Sequence, residues 1–222
     1  MKAEVEYIGD SQQPVVIIDE FLNDYEEVVA QGHDDGFAQE RGDTNFYPGN
    51  RKPVPQPLLD KVCDKLKPII AETFGLNVNY PEWQEGYFAY VDKPADALLP
   101  LQKVPHFDSV CKRQIAAILY LCEPELGGTG FYKHVETGLE LVVEEHVKRY
   151  QQSVLKQLEQ YKFDGYCVDS NDCFTQIHKV DAKPNRLVLY RSALLHSGII
   201  TDKNFDTAYG KKRLTMTVFM YF

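Results

Sequence analysis

Residues 104–111 read VPHFDSVC, and within them His106 and Asp108 are separated by a single residue. On a strand, positions i and i+2 project from the same face. The imidazole and the carboxylate would then stand side by side, just ahead of the apolar run IAAILYLC at 115–122. Such a pair suits either a metal ion or a hydrogen-bonded contact at a strand end. A third group lies far downstream: in NRLVLYRSALLHSGII (185–200), His196 follows an apolar strand and a short turn. Two histidines and one carboxylate on facing strands make the facial set that holds non-haem iron(II) and leaves positions open for a bidentate cosubstrate and dioxygen. Near the end, KKRLTMTVFMYF places Arg213 and Thr215 at i and i+2 on a predicted strand. The planar guanidinium matches a carboxylate, and a hydroxyl on the same face adds a donor. Taken alone, Arg213 is better explained as a strand start with its head in solvent.

These residues need elements to hold them. PVVIIDEFL (14–22) reads as a strand, and NDYEEVVAQG after it as a helix with Asn23 at the cap, Glu26 three residues on and Gly32 closing it. The Pro-, Gly- and Asn-rich segment 41–57 reads as a loop. A second helix is expected over 58–74, broken or bent at Pro68. From residue 83 onward, short aromatic and β-branched runs alternate with turn residues, which suggests a closed sandwich or barrel of the jelly-roll kind. One stretch, 139–162, interrupts that texture with Val143, Val147, Tyr150, Val154, Leu158 and Tyr161 at helical spacing, an amphipathic helix. The expectation is one domain over 1–222, mainly β with flanking helices: a jelly-roll core, N-terminal helices packed outside it, and the inserted helix at about 139–162. That helix could serve as a lid, a homodimer contact or simple outer packing.

Composition narrows the partners. With a formal net charge of −9 over 222 residues, no basic patch is available to neutralise phosphates, so nucleic acid is excluded as an expected partner. The five cysteines contain no C-x-x-C pair, which argues against a zinc knuckle or a disulfide framework. No apolar run reads as a signal peptide or a membrane span, and the expectation is a reduced, cytoplasmic protein without a membrane partner.

The order of the motifs carries more than any one of them. H-x-D at 106–108, GGTGFY at 127–132, NRLVLY at 185–190, H-S-G at 196–198 and R-x-T at 213–215 follow one another along the chain. This resembles the Fe(II)/2-oxoglutarate-dependent dioxygenase superfamily, most nearly its prolyl-hydroxylase-like branch. The opening VVIIDEFL is similar to the entry segment of that branch. More narrowly, YPGNRKPVP, PHFDS, GGTGFYKH and NRLVLYRSALLHSG look like a bacterial family of uncharacterised members grouped as a domain of unknown function.

The resemblance implies a double-stranded β-helix core, Fe(II) held by His106, Asp108 and His196, and 2-oxoglutarate as cosubstrate, bound by Arg213 with Thr215 as an additional donor. It implies oxidative decarboxylation to succinate coupled to hydroxylation of a small molecule, amino acid or peptide side chain. Asp108 stands where related halogenases carry a small residue, which argues for hydroxylation. The segment TDKNFDTAYGKK lengthens the gap between His196 and Arg213, so Lys211 or Lys212 could take the anion instead. Tyr90 and Tyr120 could hydrogen-bond 2-oxoglutarate, and Gln102 could share the strand face of His106. The pocket mouth is expected to include Phe46 to Arg51, Tyr132 and His134, with His134 also a competitor for the place of His196. Those aromatic and cationic groups suit a substrate with a carboxylate or polar head. Two other classes stay open: a cupin-like metal enzyme that uses no 2-oxoglutarate, and a non-catalytic metal- or ligand-binding jelly roll.

Overall fold

The structure, a computed structural model, describes residues 2–37, 47–79 and 82–222. Ten strands and three α-helices are described: β1 (Ala3–Ile8), β2 (Gln13–Ile18), α1 (Tyr25–His33), β3 (Gly49–Pro53), α2 (Gln56–Phe74), β4 (Trp83–Val91), β5 (Gln114–Tyr120), β6 (Gly127–His134), α3 (Val147–Gln160), β7 (Phe174–Asp181), β8 (Leu187–Arg191), β9 (His196–Ile200) and β10 (Leu214–Tyr221). Seven strands form one antiparallel sheet in the order β1-β2-β8-β5-β10-β4-β3, and three form a second in the order β7-β6-β9.

Strand alternation decides what each face touches. On β10, Leu214, Met216, Val218 and Met220 join Val28 of α1 and Leu59, Val62, Leu66 and Ile70 of α2 in one core on the outer face of the large sheet. Between the two sheets, Ala116, Tyr120, Val188 and Tyr190 meet Phe131 and Val180 in a second core. A third cluster packs Tyr150 and Val154 of α3 against Tyr132, Phe174 and Leu195. The mainly β architecture, with α1 and α2 against the outer face of the large sheet, is therefore as expected.

Several local expectations are corrected. Residues 41–46 lie outside the described residues, but Gly49–Pro53 is an edge strand rather than loop, with Gly49 opposite Val91 and Arg51 opposite Ala89. A Cβ on Gly49 would stand 2.0 Å from the Tyr90 carbonyl oxygen, so only glycine allows this pairing. Helix α1 is capped at Asp24, whose carboxylate is taken by Lys61 at 2.6 Å; Asn23 is not the cap. Gly32 is internal to α1 and buried, because its missing Cβ leaves room for Leu214 and Phe88. Pro68 does not end α2, which runs on through Ile70 and Phe74 in the core to a left-handed Gly75. Strand β1 went unanticipated.

The inserted helix is shorter than its periodicity implies. It begins at Val147, because Leu141 pairs with Leu194, Val142 N donates to Ala193 O at 2.8 Å and Leu195 N donates to Glu140 O at 2.8 Å. Ladder hydrogen bonds hold that upstream segment extended. Among the described residues no helix is long and apolar enough to cross a membrane.

Candidate metal centre

His106 lies on no regular strand. It forms an isolated bridge with His196, the first residue of β9: His106 N donates to His196 O at 2.9 Å and His196 N donates to His106 O at 2.8 Å. This two-way pairing sets the imidazole rings 4.4 Å apart at 51°. Two residues on, Asp108 N donates to Ser192 O at 2.8 Å, which turns the segment back along the end of β8. The carboxylate thereby stands between both rings, with Oδ1 at 3.7 Å from His106 Nε2 and Oδ2 at 3.5 Å from His196 Nε2. Potential ligand atoms of the three residues all lie within 4.8 Å of one another, the one such group among the described residues.

The surroundings bear on the proton each of the three carries. His196 Nδ1 is 2.8 Å from Leu194 O. A carbonyl only accepts, so Nδ1 carries the proton and the Nε2 lone pair points at the cluster. Enclosure by protein, and then the charges of His196 and Arg51, hold His106 well below the ordinary imidazole pKa. Enclosure raises Asp108, opposed by His196 and Arg51. Tyr190 abuts His196 edge-on at 4.8 Å, and burial drives its phenol well above 10. His106 is the open member, with 55% of its side chain accessible against 6% for His196.

That accessibility faces a cavity of about 620 Å³. Thr215, Thr217 and Phe219 line it from β10, with Arg213 from the position just before that strand, Tyr47 and Arg51 from the β3 side, and Tyr150, Gln151, Val154 and Leu155 from α3. Helix α3 is thus a cavity wall, not packing on the outside alone. A wider opening of about 800 Å³ adjoins it at Tyr166 and Ile200 but holds none of the three clustered residues.

Arg213 is 5% exposed. Its Nη2 donates to Gly128 O at 2.9 Å, its backbone N donates to Asn204 Oδ1 at 2.7 Å, and its guanidinium lies 5.6 Å from the centre of the Tyr120 ring. Its buried Nε has no partner among the described residues. Thr215 Oγ1 has only a long contact, 3.4 Å, to Ala89 O. Lys211 is spent on Glu123 at 2.9 Å and Lys212 lies over Tyr90 at 4.9 Å; neither lines the cavity.

Other expected residues go elsewhere. Tyr90 is on the outer face of the large sheet against Phe37, 4.7 Å between centroids, because its neighbour Val91 takes the inward position. Tyr120 does not line the cavity; it backs Arg213, and its hydroxyl bonds Thr129 Oγ1, a lining group, at 2.7 Å. Tyr132 is core, donating to Cys167 O at 2.8 Å. His134 is fully buried between Thr137 at 2.7 Å and Gln157 at 2.9 Å, so it is neither rim nor ligand. Gln102 does line the cavity, from a single 3₁₀ turn rather than from a strand. Arg51 lines it, whereas Phe46 lies outside the described residues. Thr217 and Phe219 were legible by extending the alternation of Arg213 and Thr215; Tyr150, Tyr166 and Tyr190 carried no such signal.

Fold and cluster together define the class: a mainly β protein whose two antiparallel sheets hold a two-histidine, one-carboxylate centre over a cavity. Residues 1–220 match the family of unknown function DUF6445, and the chain belongs to that family. No curated protein matches it by sequence. Among solved structures it is similar to HygX from Streptomyces hygroscopicus with nickel and 2-oxoglutarate bound, at 14% identity over 95% of this chain and 84% of that one, TM-score 0.57. It is also similar to SnoK, a non-heme alpha ketoglutarate dependent carbocyclase from nogalamycin biosynthesis, at 14% identity over 95% and 80%, TM-score 0.54. AviO1 from Streptomyces viridochromogenes follows at 11% identity over 95% and 90%, TM-score 0.52. At these identities the likeness is one of fold.

Proposed function

We propose that the chain is a non-haem Fe(II)- and 2-oxoglutarate-dependent oxygenase on a jelly-roll core, hydroxylating a small molecule or an amino-acid-sized group. The observation that carries the reading is the pairing of two features in one cavity: the His106, Asp108 and His196 cluster, and a buried arginine whose Nε has no partner among the described residues. A donor set of two imidazoles and one carboxylate fits a divalent iron and leaves positions open on the cavity side. The fold likeness to HygX and SnoK supports the same reading, since HygX holds nickel and 2-oxoglutarate and SnoK depends on alpha-ketoglutarate.

In this reading His106 Nε2, an Asp108 oxygen and His196 Nε2 would hold the metal, and Arg213 would take the distal carboxylate of 2-oxoglutarate with Thr215 as a further donor. The bound iron would supply dioxygen activation coupled to oxidation of 2-oxoglutarate to succinate. The chain's own residues do the rest. Leu194 O fixes the His196 tautomer, Tyr120 supports the guanidinium from behind, and Tyr150 with Val154 shields the cavity from bulk water. Arg213 is what favours this over a cupin-like enzyme without 2-oxoglutarate, for which a buried inward cation has no task. Asp108 as ligand favours hydroxylation over halogenation. The test is an anaerobic titration of Fe(II)-loaded protein with 2-oxoglutarate, followed by a substrate panel scored by succinate. No 2-oxoglutarate-dependent spectral change and no succinate would refute the proposal.

A further inference from the structure

Segment 201–212 lengthens the path from His196 to Arg213 and has no task in the oxygenase reading above. It leaves the end of β9, the strand of His196, and runs to Arg213, one residue before β10. Its side chains are exposed or half-buried with one exception: Asn204, in a single 3₁₀ turn (Asp202–Phe205), is 4% exposed. Asn204 spends both ends of its amide on backbone. Oδ1 accepts from Arg213 N at 2.7 Å, and Nδ2 donates to Val91 O at 3.0 Å. A backbone N–H only donates and a carbonyl only accepts, so these partners fix which end of the amide is oxygen and which is nitrogen.

The place of this bridge gives it its consequence. β4 and β10 pair antiparallel with Leu214 opposite Tyr90, so Arg213 and Val91 are the next two positions, just past the end of that ladder. The Asn204 amide joins them where the strands no longer pair. Arg213 thus has two hydrogen-bonded holds: Asn204 on its backbone and Gly128 O on its guanidinium. The turn that carries Asn204 is itself fixed at both ends. Thr201 Oγ1 donates to Glu125 O at 2.7 Å, and Phe205 stacks on Tyr166 at 6.4 Å between centroids and 17° between planes. The Tyr166 hydroxyl donates in turn to Lys93 O at 2.6 Å, two residues past Val91. Val91 and Tyr166 line the metal cavity together with Arg213.

We infer that Asn204 is a positioning residue: it holds Arg213 at the cavity wall and so sets the affinity for the anion that the guanidinium receives. This rests on the oxygenase reading for the identity of that anion, the distal carboxylate of 2-oxoglutarate. A planar fork that meets a carboxylate directionally tolerates little displacement, so a backbone shift at Arg213 is felt at the ligand.

The experiment uses the full chain at saturating Ni(II) and two probes read by calorimetry: 2-oxoglutarate, and 2-oxopentanoate, which carries a methyl group in place of the distal carboxylate. The variants are Asn204→Ala, Asn204→Ser, Arg213→Ala, the double variant of Asn204→Ala with Arg213→Ala, and Thr201→Val, which loosens the same segment without touching Arg213. Asn204→Ala should weaken 2-oxoglutarate by roughly 3- to 30-fold and leave 2-oxopentanoate and Ni(II) affinity unchanged. Thr201→Val should leave all three unchanged, and adding Asn204→Ala to Arg213→Ala should cost no further 2-oxoglutarate affinity. The inference is overturned if Asn204→Ala matches wild type for 2-oxoglutarate, if it weakens both 2-oxo acids alike, if Thr201→Val weakens 2-oxoglutarate as much, or if the effect persists in full without Arg213. Should Asn204→Ala fail to fold, Asn204→Ser decides: its short hydroxyl cannot span both backbone groups, so undiminished 2-oxoglutarate binding there overturns the claim. Failure of the oxygenase reading shows separately, as a wild type that binds 2-oxoglutarate no better than 2-oxopentanoate, or not at all. Hydrogen exchange then decides on Asn204: faster exchange at the Arg213 amide in Asn204→Ala or Asn204→Ser but not in Thr201→Val upholds the positioning of the arginine, and unchanged exchange overturns it.

Discussion

Replacing Arg213 tests the cosubstrate assignment most directly, because its structural task and the recognition proposed for it are separable. The first is structural: Nη2 donates to Gly128 O in a buried setting. Removing the donor deletes a buried bond from a charged group at a cost of about 1–3 kcal/mol, visible as a lowered melting temperature with or without ligand. The second is recognition. A charge-assisted bond to a carboxylate contributes about 1.5–3 kcal/mol, so Arg213→Ala should weaken 2-oxoglutarate by roughly 10- to 150-fold. Arg213→Lys should retain part of the affinity, since the charge stays and the fork is lost. The assay is an anaerobic titration at saturating Fe(II), run well below the melting temperature of each variant so that the two tasks are not confused. A midpoint for Arg213→Ala equal to that of wild type, alongside the lowered melting temperature, would show that the guanidinium is only a strut between β10 and β6. The cupin-like alternative would then lead.

Four further expectations use independent measurements. Asp108→Ala should weaken Ni(II) or Fe(II) binding by at least the roughly 10- to 100-fold that loss of an outer partner alone costs, as read by calorimetry; unchanged binding would remove Asp108 from the ligand set. Tyr150→Phe deletes a buried bond to Pro105 O (2.9 Å), the residue before His106, so it should destabilise the fold by about 1–3 kcal/mol and loosen the metal; if neither melting temperature nor metal affinity moves, α3 does not brace the centre. Gly128→Ala would place a Cβ 2.1 Å from Val180 O, so β6 must shift against β7; a loss of about 1–3 kcal/mol or more in denaturant melts is expected, and a wild-type midpoint would refute the packing. Asp19 is held at about 2, against an ordinary 3.8, by hydrogen bonding from Arg186 before any other cause. Its folded pKa is depressed, so its stabilisation is full above about 4 and is lost as pH falls through about 2. With 38% of the side chain exposed, the pair is screened and contributes on the order of 0.2–1 kcal/mol. Asp19→Asn should therefore be less stable than wild type at pH 7, with the gap shrinking as pH falls toward 2 and closing below it; a gap that does not shrink would point to packing instead.

Much of the site was legible because strand alternation is a local property. Arg213 and Thr215 share a face from their spacing alone, and Thr217 and Phe219 extend it onto the same cavity wall. Parity also explains a failure: Tyr90 and Val91 are adjacent, only one can face inward, and nothing local says which. His134 illustrates a second kind of failure. Its burial depends on Gln157, whose position on α3 was visible, but the docking of α3 over β6 was not. The helix start at Val147 was misjudged for a related reason. Residues 140–142 are held by bonds to residues 193–195, with Glu144–His146 as a 3₁₀ turn before the helix, and long-range hydrogen bonds leave no trace in a local pattern.

The pair His106 and Asp108 is brought together by an element other than the regular strand its spacing suggests. Two side chains that share a face on a regular strand are roughly parallel, which suits a surface pair as well as a metal. Here the strand is reduced to one bridge, and Asp108 is turned by its backbone bond to Ser192 O. The carboxylate can then reach toward His196 as well as His106, which a flat strand would not arrange. His196 is anchored by the same β9 that pairs with β6, where a Cβ on Gly127 would lie 1.7 Å from Ile199 O. The next residue, Gly128, gives its carbonyl to Arg213. The glycine pair therefore does mechanical work for both halves of the site. By letting β6 close against β7 and β9, it fixes the strand that carries the distal histidine and the acceptor that orients the arginine. A two-residue motif can thus hold the histidine cluster and the buried arginine in place without belonging to either.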